Sequence, residues 1–295
     1  MEWLQSHISE SLIPIISQCS LPGEEIVLVL IIGILYWGIN KKMGRYIGLN
    51  LLFGAAFAGM IKNVVCRRRP YFDHEGIKVL RPVDREADVY DIMAQGYSFP
   101  SIHSSNTASC FGSIAVYTGR ENSRYRYLFA VLAPLMMFLV GFSRVFVGVH
   151  YPTDVLAGWC IGWFAILIGT LVTEKVQDLR LTYLIFLVLT IPGFFFCKSN
   201  DYYTSAGLLF GFMAGNLFDE YVGHFENTEK PLMIVLRLIG GVLVYLILNK
   251  LLKMPFSADF LEQASVLSWT VRTIRYTIIA FVAFGVYPMS FRWLK

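Results

Sequence analysis

Three short stretches of this chain collect residue types that handle phosphate: Lys62 with Arg69-Pro70, then Pro100-Ser101-Ile102-His103, then Ser143-Arg144 with His150 and Asp154. Three cations, two imidazoles and one carboxylate are the set that a histidine-nucleophile phosphoryl transfer requires. All three stretches sit at the ends of strongly apolar segments, so a membrane-embedded bundle could gather them into one pocket.

Each residue has a distinct chemical part in that reading. His150 offers a neutral imidazole near pH 7 that can attack phosphorus. Asp154 follows four residues later, with Pro152 at an expected first helical position, and can hold one ring nitrogen as N–H while the other stays free. His103 starts another helix and is the natural general acid for the leaving oxygen, then the base for water. Ser101 can donate its hydroxyl to a phosphate oxygen, and free backbone N–H groups of that helix's first turn, Ile102 included, point the same way. Arg69 and Arg144 bring planar, bidentate donors and Lys62 a point charge.

The elements that must position these residues follow from composition. The 295 residues are 56% hydrophobic, 15% aromatic and 16% charged, with a net charge of +4 and a mean hydropathy of +0.55. That is the balance of a polytopic membrane protein, and nucleic acid is not an expected partner. A hydrocarbon core of ~30 Å takes roughly 20 helical residues to cross. Such runs are expected near 24–40, 46–65, 104–119, 127–146, 153–173, 181–197, 204–222, 231–250 and 270–290. The fold class is therefore all-α, a transmembrane bundle of about nine spanning helices, with an amphipathic N-terminal helix at the interface marked by Leu4, Ile8, Leu12, Ile15 and Ile16. Residues 1–23 form that N-terminal segment, 24–177 the core with the three motifs, and 178–295 additional helices. The first 22 residues lack a basic start and carry Glu2, His7 and Glu10, unlike a cleavable signal peptide.

Charge places the ends of the helices. Lys41, Lys42 and Arg45, then Arg120, Arg124 and Arg126, then Lys175 and Arg180 share one side, which the positive-inside rule makes cytoplasmic. The 66–103 loop and the 147–152 turn then fall together on the external face, the plasma membrane of a bacterium being the expected location. The external loop is itself basic, with Arg67, Arg68, Arg69, Lys78, Arg81 and Arg85, an excess attributed to anion binding. Tyr71, Phe72, Tyr90, Tyr97 and Phe99 within it suit either a lid over a headgroup or a solvated connector.

Other features read as structure. Cys19, Cys66, Cys110, Cys160 and Cys197 are scattered singly, so neither a disulfide framework nor a metal site is expected, and no cofactor is implied. His74 and His224 lie in polar loops without matched partners. Gly158-x3-Gly162 and Gly207-x3-Gly211-x3-Gly215 are signals for close helix packing, not phosphate loops.

Lys62-x6-Arg69-Pro70, Pro100-Ser101-x-His103 and Ser143-Arg144-x5-His150-x3-Asp154 together resemble the three-part signature of the type-2 phosphatidic acid phosphatase superfamily, over about residues 24–175. The resemblance implies a helical membrane core, a phosphohistidine on His150, an acid at His103, phosphate ligands at Lys62, Arg69, Ser101 and Arg144, and no metal. Ile102 departs from it by standing where the family usually has glycine. Its backbone is expected to be helical or extended, because isoleucine does not comfortably take positive φ. The four C-terminal helices are similar in number to those of glucose-6-phosphatases and sphingosine-1-phosphate phosphatases, and are expected to complete a lipid cavity or a homodimer contact.

The expectation is a metal-independent membrane phosphatase acting on a lipid phosphate monoester of the phosphatidate, sphingoid phosphate or phosphatidylglycerol phosphate type. Its alternatives are a prenyl diphosphate phosphatase, a phosphotransferase using an alcohol in place of water, and a non-enzymatic transporter or scaffold.

Overall fold

The computed structural model describes residues 1–84 and 86–293; Arg85, one of the basic residues of the 66–103 loop, lies outside the described residues. The described residues are all-helical, without strands. In chain order the helices are α1 (Glu2–His7), α2 (Ile13–Gln18), α3 (Glu25–Gly33), α4 (Lys41–Val65), α5 (Pro70–Asp73), α6 (Ile92–Gln95) and α7 (Ile102–Arg120). They continue with α8 (Arg126–Phe146), α9 (Pro152–Lys175), α10 (Leu179–Thr190), α11 (Asn200–Phe218), α12 (Pro231–Leu251), α13 (Ala258–Glu262) and α14 (Val266–Phe281).

Five stretches are long and apolar enough to cross a membrane: Lys41–Asp73, Arg126–Phe146, Pro152–Lys175, Pro231–Leu251 and Val266–Arg292. A sixth is added if Glu10–Gly23 and Glu25–Ile39, bent by 49°, form one span. The chain is an integral membrane protein, but the nine spans expected from sequence are not confirmed. α7 falls short because its interior is polar: Ser104, Ser105, Thr107, Ser109 and Ser113 are all buried against protein. α10 has 12 residues before the chain tightens through Ile191–Phe195.

The N-terminal segment also differs from a single interfacial helix. It is broken into α1, a tight turn at Glu10–Leu12, and α2, where Pro14 suits the first turn of a new helix. Leu4, Ile8 and Ile16 pack with Met1 and Ile13 on the buried Tyr71, Ile77, Phe146, Val147 and Val149. Leu12 and Ile15 stay exposed. The apolar stripe seen in the sequence is thus divided between protein contact and the outside.

The chain forms two compact units, one of residues 1–28 with 57–166 and one of residues 29–56 with 167–295. In the first, Gly158 and Gly162 let α9 approach α7 backbone to backbone. A Cβ on Gly158 would stand 2.5 Å from the Ser101 carbonyl oxygen, and one on Gly162 would stand 2.9 Å from that of Ser105. In the second, Gly207, Gly211 and Gly215 face Thr273, Thr277 and Gly285, so this glycine face is used within the chain, against α14 and the turn that follows it. An ion cluster there joins Lys41 and Arg45 to the fully buried Asp219, at 2.7 and 3.3 Å, and Arg45 to Glu220 at 2.6 Å.

Candidate active site

All eight residues singled out from sequence lie in the first unit. α4 delivers Lys62, which is buried, and then ends at Cys66, whose φ of 49° breaks the helical path. Arg69 precedes Pro70 at the start of α5. Ser101 caps α7, its hydroxyl oxygen accepting from the Ser104 N–H at 3.4 Å and the Ser104 hydroxyl at 3.0 Å. An accepting hydroxyl keeps its own proton to donate. Ile102 is the first helical residue of α7 and is not among the positive-φ residues.

α8 ends with Ser143 and Arg144, both buried, and the chain turns at Gly148. That position has a φ of +85°, and a Cβ there would run into the Lys78 carbonyl, so both conformation and space call for glycine. The turn places His150 just before α9, and Pro152 opens that helix. The backbone N–H of Ser101 donates to the Asp154 carbonyl at 3.0 Å, tying the first turn of α7 to that of α9. The two histidine-bearing helix starts are therefore joined directly, through the contact that Gly158 makes possible.

His150 and Asp154 lie next to each other, four residues apart in the chain. Nδ1 of His150 stands 3.6 Å from Oδ2 of Asp154, longer than a hydrogen bond, with both side chains buried. Oδ2 also accepts the Tyr151 N–H at 2.8 Å, and Oδ1 accepts from Arg67 Nη1 at 3.1 Å. Arg67 donates to Thr153 at 2.7 Å as well and lies 3.8 Å over the Tyr151 ring. The carboxylate is thus fixed by two donors, one on each oxygen. Burial holds the His150 imidazole well below the usual histidine range, and the charges of Arg69, Arg144 and Lys62 push the same way.

The two arginines behave differently. Arg69 is bonded to carbonyls: Nε to Gln95 at 2.9 Å and Gly96 at 3.0 Å, Nη2 to Gln95 at 2.7 Å, and Nη1 to Val149 at 2.9 Å. It clamps Gln95 and Gly96 of the 66–103 loop to the residue before His150. Arg144 is 3% exposed, and its Nε has no acceptor among the described residues. A buried guanidinium nitrogen without an acceptor is costly unless an anion arrives to meet it. Burial holds the His103 imidazole well below the usual histidine range as well, and the charges of Arg144, His150, Lys62 and Arg81 push the same way.

Three contributors escaped the sequence reading as individuals. Arg67 was legible only as part of an arginine run. Gln95 is buried, its amide accepting from the N–H groups of Val83 and Asp84 and donating to the carbonyls of Asp84 and Asp88, so it organises the loop. Arg81 donates to the Ser17 carbonyl, the Ser20 hydroxyl and Glu24, and its charge reaches His103 and Arg144. Among the described residues no three His, Cys, Asp or Glu side chains are grouped to hold a metal ion.

Two family models match the chain. A model described as the PAP2 superfamily matches residues 44–178, which contain every residue of the site, and one described as the PAP2 superfamily phosphatase transmembrane extension matches residues 203–295. The chain belongs to the PAP2 superfamily. It is 32% identical over 127 residues to lipid A 1-phosphatase of Rhizobium etli, covering 42% of this chain and 48% of that one. It is 28% identical over 149 residues to lipid phosphate phosphatase delta of Arabidopsis thaliana, covering 49% and 34%. It is 34% identical over 87 residues to phosphatidylglycerophosphatase B of Bacillus subtilis, covering 28% and 43%. The chain spans less than half the length of each of these relatives.

Proposed function

We propose that this PAP2 protein hydrolyses a lipid phosphate monoester through a covalent phosphohistidine on His150, at the external face of a bacterial plasma membrane. The observation that carries the reading is the buried Arg144 guanidinium, lacking a protein acceptor at Nε, beside two imidazoles. An oxyanion is the acceptor it lacks.

In the first step the free ring nitrogen of His150 attacks phosphorus, the ester P–O bond breaks, and His103, protonated in the complex because the phosphate dianion offsets the surrounding cations that hold the ring neutral without it, gives its proton to the departing lipid alkoxide. Asp154 faces the Nδ1 side and stabilises the positive ring as the bond forms. Arg144, Lys62, the Ser101 hydroxyl and the first-turn N–H groups of α7 meet the charge on the equatorial oxygens. In the second step His103, now neutral, takes a proton from water as it attacks phosphorus, the P–N bond breaks, and phosphate leaves. Arg69 acts in this scheme chiefly by holding the Val149 carbonyl and the loop, with its charge adding to the field.

Three of the relatives are named for lipid phosphates of different kinds, which supports the substrate class without choosing within it. The test is phosphate release in detergent from phosphatidate, sphingoid phosphate, phosphatidylglycerol phosphate and prenyl diphosphate, with chelator present and His150→Ala as control. Release that needs His150 and survives chelator is expected. Loss with chelator would overturn the metal-free scheme, and transfer to an added alcohol in preference to water would make the protein a phosphotransferase. No release from any ester, with the protein folded, would favour a transporter or scaffold.

A further inference from the structure

The second unit contains a pair of arginines that the reaction does not use. Arg272 and Arg275 are three residues apart on α14, and so on one face of that helix. Arg275 is 3% exposed and Arg272 is half-buried. Arg275 donates through Nη2 to the Asn249 side-chain oxygen at 3.3 Å, and Arg272 through Nη2 to the Leu261 carbonyl at 3.0 Å. Both acceptors are neutral. The Nε of each is buried without an acceptor, and among the described residues no carboxylate pairs with either, Asp259 and Glu262 of the neighbouring α13 included. The two guanidiniums are also close enough for their charges to act on each other.

The same unit handles its cations in two ways: the half-buried Lys41 and Arg45 are answered by carboxylates, while the buried Arg237 donates to the Trp37 and Glu226 carbonyls and lies 4.3 Å over the Phe291 ring. Lys41 and Arg45 share Asp219, and Arg45 also holds Glu220. An ionised side chain inside a membrane helix ordinarily has a partner or marks a ligand path. For Arg272 and Arg275 no carboxylate partner is present among the described residues, and the Nε–H group of each is buried without an acceptor. Arg272 and Arg275 lie about 9 and 14 Å along α14 from its first residue at 1.5 Å per residue, in the N-terminal half of the Val266–Arg292 span, and Asn249 lies in the last turn of α12. Val266, Leu267, Ile274 and Ile278 expose an apolar face of the same helix, as a surface against acyl chains would.

We propose that Arg272 and Arg275, with Asn249, bind the phosphate of an anionic membrane lipid. The site uses no residue of the catalytic pocket, and the inference stands whether or not the chain is a phosphatase. Guanidinium forks match phosphate oxygens in pairs, and two adjacent forks favour a headgroup with net negative charge over a zwitterionic one.

The experiment is thermal unfolding of the full chain in uncharged detergent, titrated with phosphatidylglycerol, phosphatidylcholine or inorganic phosphate, beside native mass spectrometry that counts retained lipid. Wild type is expected to gain several degrees saturably with phosphatidylglycerol, little with phosphatidylcholine and none with an equal concentration of inorganic phosphate. Arg275→Met combined with Arg272→Gln removes the uncompensated charge with side chains of similar length, and is expected to fold, lose the phosphatidylglycerol shift and retain no lipid in the spectrometer. Should the double variant not fold, Arg272→Gln alone is expected to weaken both responses. An unchanged shift and unchanged retention in the variants would overturn the site, and an equal response to inorganic phosphate would overturn its assignment to lipid.

Discussion

Arg144 in the first unit and Asp219 in the second are both charged, both buried and both at the end of a helix, yet their surroundings are opposite. Asp219 receives Lys41 and Arg45 and accepts the Phe225 N–H at 3.1 Å, so its charge is answered within the fold. Arg144 keeps an Nε with no acceptor among the described residues and has Arg69 and Arg81 for company, with Glu24 as the acidic group in reach. One cluster is closed and holds a structure together. The other is open, cationic and paired with imidazoles, which is the state of a site awaiting an anion.

The contrast can be broken from either side. Arg144→Ala should lower kcat/KM on the order of 10²- to 10³-fold, the loss seen when one fixed oxyanion donor is removed. Its melting temperature should hold or rise, because a buried charge without a partner is gone. Asp219→Ala should do the reverse. Stripping one partner from a buried charge cluster costs about 3–5 kcal/mol, to be seen by chemical unfolding, while turnover per folded molecule stays near wild type. Equal effects of the two changes on activity would erase the distinction drawn here.

A smaller effect sharpens the geometry. Gly158→Ala puts a methyl group 2.5 Å from the Ser101 carbonyl, a backbone atom that cannot swing aside. Parting α7 from α9 should misplace His103 relative to His150 and cut kcat by about tenfold or more, since displacements near 1 Å at a reacting centre are expensive. Gly119→Ala, where a Cβ meets nothing within 4 Å, is the matched control and should leave kcat unchanged.

The smallest expected effect is on pH dependence. The His150 ring is held below the ordinary value of about 6.5, so in the free enzyme it stays neutral, and nucleophilic, as pH falls through that value. The acid limb of kcat/KM should therefore lie below the usual imidazole range. The stability linkage has the same sign: below about pH 6.5 the unfolded chain takes up a proton that folded His150 refuses, so this group lowers stability as pH falls. An acid limb at or above 6.5 would contradict the field described for His150.

Much of the site was legible because its chemistry depends on residue type and on spacing that helix starts preserve. Lys62, His103, Arg144, His150 and Asp154 are not interchangeable with neighbours, and Pro152 marks where α9 begins. What sequence did not disclose is which acceptor each donor meets. Arg69 and Arg144 look equivalent as letters, but carbonyl oxygens, which every residue carries, occupy the first, while Nε of the second has none. Arg67, Gln95 and Arg81 were hidden for the same reason, each working through backbone groups or distant partners. The nine spans expected from hydropathy are not confirmed, because hydropathy registers composition and not surroundings. α7 is polar inside a bundle, and the first apolar run bends by 49° between Glu10–Gly23 and Glu25–Ile39.

The central claim is that one oxyanion meets His150 in line while Arg144 and Lys62 hold it. The most direct test is rapid acid-free quenching of the protein with a phosphorus-labelled lipid phosphate under alkaline denaturing conditions, followed by mapping of the labelled peptide. The account predicts alkali-stable, acid-labile label on His150, absent from His150→Ala and accumulating in His103→Ala. Label on any other residue, or turnover with no labelled protein in either background, would contradict it.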